Sequence, residues 1–107
     1  EYSPVIYELH LTIPGTDEES VTTFGLRDFS TSETEFLING TPTFLRGKHD
    51  GLIFPMTGAV PTSVEEWIRV MSISKSYGIN HYRYHTCCPP DAAFVAADLL
   101  GNLDRTG

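Results

Sequence analysis

Apolar and polar residues alternate at the start of the chain. Tyr7, Leu9, Leu11 and Ile13 are interleaved with Glu8, His10 and Thr12. Side chains of a strand point to opposite faces in turn, so this period of two predicts an antiparallel strand with one buried face. Pro14-Gly15-Thr16-Asp17 carries turn chemistry. Val21, Thr23, Phe24 and Leu26 mark a second strand. Residues 4–29 therefore read as two strands of a β-sandwich, and two strands alone are marginal in water. Residues 30–34 read as a short polar linker. The apolar runs around Asn39-Gly40 then predict a hairpin, because both turn positions tolerate positive φ. Pro42 must sit where the ladder needs no donor.

Farther on, the period changes. Val64, Trp67, Ile68 and Met71 form an i, i+3, i+4, i+7 stripe, which predicts a helix over residues 63–77. Ser63 and Glu66 have the spacing of a capping box, and Gly78 suits the left-handed position after the last turn. Val70, Ile73 and Tyr77 make a second stripe, so this helix expects neighbours on more than one side. Residues 79–85 read as a strand. Pro90 suits the first turn of a second helix, running to Leu100 and closed by Gly101. Strand, helix, strand, helix is the repeating unit of a parallel α/β arrangement.

Composition narrows the function classes. The 107 residues are 40% hydrophobic and 20% charged, too apolar for disorder. No apolar run approaches the roughly 20 residues of a membrane span, and Glu1-Tyr2-Ser3-Pro4 has no signal-peptide pattern. A net charge of −7 argues against a nucleic-acid partner, which needs clustered Lys and Arg. Cys87 and Cys88 are neighbours, and adjacent cysteines rarely meet disulfide geometry. His49, Asp50, His81, His85, Cys87 and Cys88 are all possible metal ligands. The cysteines lack C-x-x-C spacing, and neither a metal nor another cofactor is expected.

Six stretches, in order, resemble glycoside hydrolase family 2. Tyr2-Ser3-Pro4 with Tyr7-Glu8-Leu9 resembles the family's "W-S-P…L-Y-x-L", and Phe24-Gly25-Leu26-Arg27 its "F-G-F-R". Phe36-Leu37-Ile38-Asn39-Gly40-Thr41-Pro42 resembles the hairpin "F-x-L-N-G-K-P" that leads into its barrel. Leu45-Arg46-Gly47-Lys48-His49-Asp50 resembles the end of barrel strand one, and Gly78-Ile79-Asn80-His81-Tyr82-Arg83 strand two. Asp98-Leu99-Leu100-Gly101 resembles the end of the next helix. The polar tail from Asn102 to Gly107 departs from the family's third, apolar strand and reads as a truncation or an artefact. In strand two the family's "R-x-S-H" is Arg83-Tyr84-His85, with the histidine one position early. That shift turns it to the other face of an ideal strand.

The resemblance implies an α+β fragment. Residues 1–30 would be the terminal strands of an immunoglobulin-like sandwich, and residues 31–107 the first β-α-β-α units of a (β/α)8 barrel. It also implies a retaining hydrolase of O-glycosides, β-galactosidase-like, with a carbohydrate substrate and a periplasmic or secreted parent. Such enzymes use two carboxylates about 5–5.5 Å apart. In the family these come from barrel strands four and seven, so this chain is expected to lack them and to be inactive alone. Barrel sites form at the C-terminal ends of strands. By resemblance, His49, Asp50 and His85 would contact the sugar there, and Arg83 would orient the nucleophile. Read without the resemblance, Lys48 to Gly51 is a polar turn and Arg83 one half of a structural ion pair. A non-catalytic sugar-binding module is the alternative function.

Overall fold

A computed structural model describes residues 4–106 of the chain. The chain divides into two compact units. One is Val5–Thr43, and the other contains Pro4 and the chain from Phe44 onward. The break between these units falls between Thr43 and Phe44, because the central hairpin groups with the strands before it. But for Pro4, the Tyr2-Ser3-Pro4 motif lies outside the described residues.

The first unit is all strand and turn. β1 (Tyr7–Thr12) pairs antiparallel with β2 (Glu19–Phe24), Tyr7 opposite Phe24, with ring centroids 5.7 Å apart. Leu26, expected in this strand, lies beyond its end. Both strands are exposed along their whole length. β3 (Phe29–Thr31), β4 (Phe36–Ile38) and β5 (Thr41–Thr43) form a three-stranded antiparallel sheet in that order. Residues 30–34 are thus not a linker. Ser30 and Thr31 belong to β3, and the Ser32 hydroxyl accepts from Glu35 N at 3.1 Å to make the turn. A local side-chain acceptor lets a polar stretch turn where no apolar pattern announces it. Asn39 (φ 50) and Gly40 (φ 73) form the expected tight turn. Pro42 lies on the edge strand β5.

The second unit is built on parallel strands. β6 (Gly47–Asp50), β7 (His81–Tyr84) and β8 (Leu103–Thr106) form one sheet, order β6-β7-β8, with both pairs parallel. α1 (Val64–Ser76) connects β6 to β7, and α2 (Asp91–Leu100) connects β7 to β8. The polar tail is therefore a third parallel strand, although no apolar pattern announces it. Asn102 N–H bonds back to Ala97 O at 2.9 Å, and Gly101 takes φ 67, so the chain leaves α2 at an angle that feeds the sheet. A Cβ at Gly101 would meet Pro4 Cβ at 2.9 Å, so no other residue fits there unshifted.

The core lies between this sheet and the helices. Trp67, Met71, Tyr82 and Tyr84 are fully buried with the small face Ala93, Ala96 and Ala97 of α2. Trp67 meets Tyr84 edge-on at 6.3 Å and Phe54 at 5.6 Å, and its indole N–H donates to Pro61 O at 2.9 Å. Tyr82 donates its hydroxyl to Ser74 Oγ at 2.5 Å. Alanines let α2 approach α1 closely, and Lys75 Nζ donates to Leu100 O at the negative end of α2. The capping box is half made. Ser63 Oγ accepts from Glu66 N, but the Glu66 carboxylate takes Arg69 instead, at 2.9 Å. The second stripe of α1 is little used, with Ile73 and Tyr77 exposed.

Two outcomes follow. Trp67→Ala leaves a cavity at the centre of this core, and such losses cost about 3–5 kcal/mol. The urea midpoint read by far-ultraviolet circular dichroism should fall accordingly; an unchanged midpoint would contradict the packing described. In the first unit, Glu19 at 2.9 Å and Glu8 at 3.3 Å raise the pKa of the exposed His10 above its usual 6.5. Because the folded value is raised, the contribution is present below the unfolded pKa and is lost as pH rises through the folded one. An NMR titration of His10 should show the raised midpoint, and Glu19→Gln should lower it.

Candidate functional site

The parallel register assigns each side chain of β6 and β7 to a face. Lys48 is opposite Tyr82, His49 opposite Arg83, and Asp50 opposite Tyr84. Tyr82 and Tyr84 are buried under α1, so Lys48 and Asp50 share the helix-covered face. The Lys48 ammonium sits 5.2 Å from the Tyr82 ring centre and 2.9 Å from the Asp50 carboxylate. His49 and Arg83 take the opposite, exposed face, at the C-terminal ends of neighbouring strands. In a closed barrel that face is the interior.

His85 joins them. It follows the last residue of β7, two positions after Arg83, so alternation keeps it on Arg83's face. Its N–H donates to Asp50 O at 2.9 Å, one more rung of the parallel ladder. Its ring meets His49 edge-on, with centroids 4.9 Å apart. The early position of this histidine therefore does not remove it from the group. Asp50 does not join. At 8% exposed, its carboxylate accepts from Lys48 Nζ and, at 2.8 Å, from Leu52 N. Period two forbids residue 50 the face that residue 49 takes.

Both strand ends carry strain. Leu52 has φ 55 and Thr86 has φ 59, and neither residue favours the left-handed region. Each costs of order 1–3 kcal/mol, and such conformations cluster at functional sites. The Thr86 hydroxyl and the Cys87 thiol both donate to the His85 carbonyl, at 2.7 and 3.2 Å. After β6 the chain forms an apolar cleft of ≈ 410 Å³, lined by Leu52, Phe54, Pro55 and Val60. Ile53 also lines it yet is largely exposed, as is Met56 nearby in sequence. The sequence reading singled out nothing in this loop, although Leu52-Ile53-Phe54-Pro55 was a visible apolar run next to Gly51.

Among the described residues, no three His, Cys, Asp or Glu gather to hold a metal ion. No helix is long and apolar enough to cross a membrane. Among the described side chains, no carboxylate of this unit belongs to the exposed strand positions of His49 and Arg83. Asp50 is beneath the sheet, and Glu65, Glu66, Asp91 and Asp98 are on helices.

Solved structures of glycoside hydrolase family 2 members match the chain. A glycosyl hydrolase family 2 member from Bacteroides cellulosilyticus matches with TM-score 0.78 and 25% identity, over 92% of this chain and 14% of that one. β-Glucuronidase 3 from Bacteroides uniformis matches with TM-score 0.73 and 25% identity, over 94% and 13%. An exo-chitosanase from Amycolatopsis orientalis matches with TM-score 0.72 and 24% identity, over 96% and 13%. The chain thus spans about one seventh of the length of these structures. No protein-family model matches the chain, and no curated protein does.

Arg83 tests whether this face is structural. It is exposed, and no ion pair to it exists among the described residues. Arg83→Ala should therefore change the unfolding free energy of this chain by within about 0.5 kcal/mol. Breaking a buried pair would instead cost about 3–5 kcal/mol. Urea unfolding decides between them.

Proposed function

We propose that this chain is part of a family 2 glycoside hydrolase. On this reading it runs from the end of an immunoglobulin-like domain into the start of a (β/α)8 barrel. It supplies sugar-facing groups, while the acid/base and nucleophile carboxylates come from elsewhere in the enzyme. The observation that carries the reading is the gathering of His49, Arg83 and His85 on one open face at the strand ends. The structural neighbours, β-glucuronidases and an exo-chitosanase among them, support the glycosidase class.

The chemistry follows from the groups. A sugar presents hydroxyls that need fixed donors and acceptors, and two imidazoles at 4.9 Å supply both. Arg83, fully charged and planar, is suited to hold a carboxylate nucleophile in its attacking orientation. In the retaining scheme one carboxylic acid protonates the leaving oxygen while a carboxylate attacks the anomeric carbon. Asp50 cannot serve as either, because both its oxygens are engaged under the sheet. The substrate is an O-glycoside, with a β-galactoside as the first to test.

The test uses two proteins. This chain alone should turn over no nitrophenyl β-galactoside, β-glucuronide or β-glucosaminide. Turnover by the chain that Asp50→Asn abolishes would overturn the reading. In an enzyme containing this segment, Arg83→Ala should lower kcat by about 10²–10³-fold, the loss typical of one transition-state donor. Full activity of that variant would remove Arg83 from the site, and the highest activity in the panel identifies the sugar.

A further inference from the structure

Asp50 lies between the two rims of the proposed site yet faces neither. Its carboxylate accepts from Leu52 N at 2.8 Å and from Lys48 Nζ at 2.9 Å. Its main-chain carbonyl accepts from His85 N at 2.9 Å. One residue thus holds the start of the loop after β6 and the last rung to β7. Leu52 has φ 55, a conformation a leucine leaves when nothing holds it. The Leu52 side chain packs against the core, and the carboxylate bond is the hold on its backbone. If it goes, the Gly51–Leu52 turn relaxes and the end of β6 frays. The rung from His85 N to Asp50 O opens with it, and the His85 ring departs from His49.

We infer that Asp50 is a positioning residue for the sugar-facing histidines. Its side chain fixes the left-handed turn at Leu52 and thereby the His49–His85 pair, without touching substrate. This rests on the proposed site for its functional meaning, but the arrangement itself is independent of any activity. Lys48 is a lesser partner. Its side chain is 39% exposed, so water can replace what it loses. The acceptor oxygen facing Leu52 is the essential atom, and asparagine retains it.

The experiment is NMR spectroscopy of this chain, reading the nuclear Overhauser contact between the His49 and His85 rings and the Leu52 backbone coupling. Contacts of Trp67 report the core in the same spectra. Asp50→Ala should abolish the ring contact and shift the Leu52 coupling away from its left-handed value, with the Trp67 contacts kept. Asp50→Asn should restore both signals, and Lys48→Met should leave both in place. Retention of the ring contact in Asp50→Ala overturns the inference. If Asp50→Ala loses the Trp67 contacts, the other two variants decide. Loss of the ring contact in a folded Asp50→Asn or Lys48→Met would show that charge, not the clasp of Leu52, holds the pair, and would overturn it equally. None of these results bears on whether the parent enzyme cleaves glycosides, so the two readings fail separately.

Discussion

The parallel pairing of Gly47–Asp50 with His81–Tyr84 governs everything else in the second unit. It places Tyr82 and Tyr84 under α1, where Trp67 and Ser74 receive them. By the same alternation it sends His49 and Arg83 to the other side. A slip of one residue would exchange the faces, burying an arginine and exposing two tyrosines. The cost of burying an unpaired charge makes that slip prohibitive. Core and candidate site are therefore two consequences of one register.

That register is anchored from both ends. At the start of the strands, the Asn80 side chain accepts from Arg46 N at 2.8 Å and donates to Phe44 O at 3.1 Å. These bonds extend the ladder before β6 begins. At the other end, the Asp50 carbonyl takes His85 N after β7 has ended. Both helices leave through left-handed glycines, Gly78 and Gly101, whose following amides bond back to Ser74 O and Ala97 O. Short strands of four residues hold their pairing because side chains and caps supply the rungs that length does not.

The candidate site has little of its own energy in it. His49, Arg83 and His85 are exposed, and the strained residues Leu52 and Thr86 follow the two strands in the chain. Stability is concentrated beneath the sheet, in the aromatic and alanine core. This division matches the general pattern in which a rigid scaffold presents polar groups and strained turns at one end. It also gives Asp50 its place, a charged residue on the scaffold side of the boundary.

Much of the layout was legible in the sequence, because it depends on local periodicity. The helical stripe through Trp67 and Met71, the Asn39-Gly40 turn and the stop at Gly78 each follow from backbone preferences that a short window reveals. The motifs around His49 and Arg83 also pointed to neighbouring strand ends, and the register placed the two residues opposite each other. Other features needed the tertiary structure. Leu103–Thr106 became a strand because β7 offered it a parallel edge, not because its own residues are apolar. Residues 30 and 31 joined a sheet because Phe29 and Phe36 stack at 5.7 Å across it. The sequence assigned Asp50 to the sugar with its neighbour His49. Alternation alone could have separated the two residues. Which of the two faces was covered by a helix depended on where α1 packed, and no window of the sequence contains that contact.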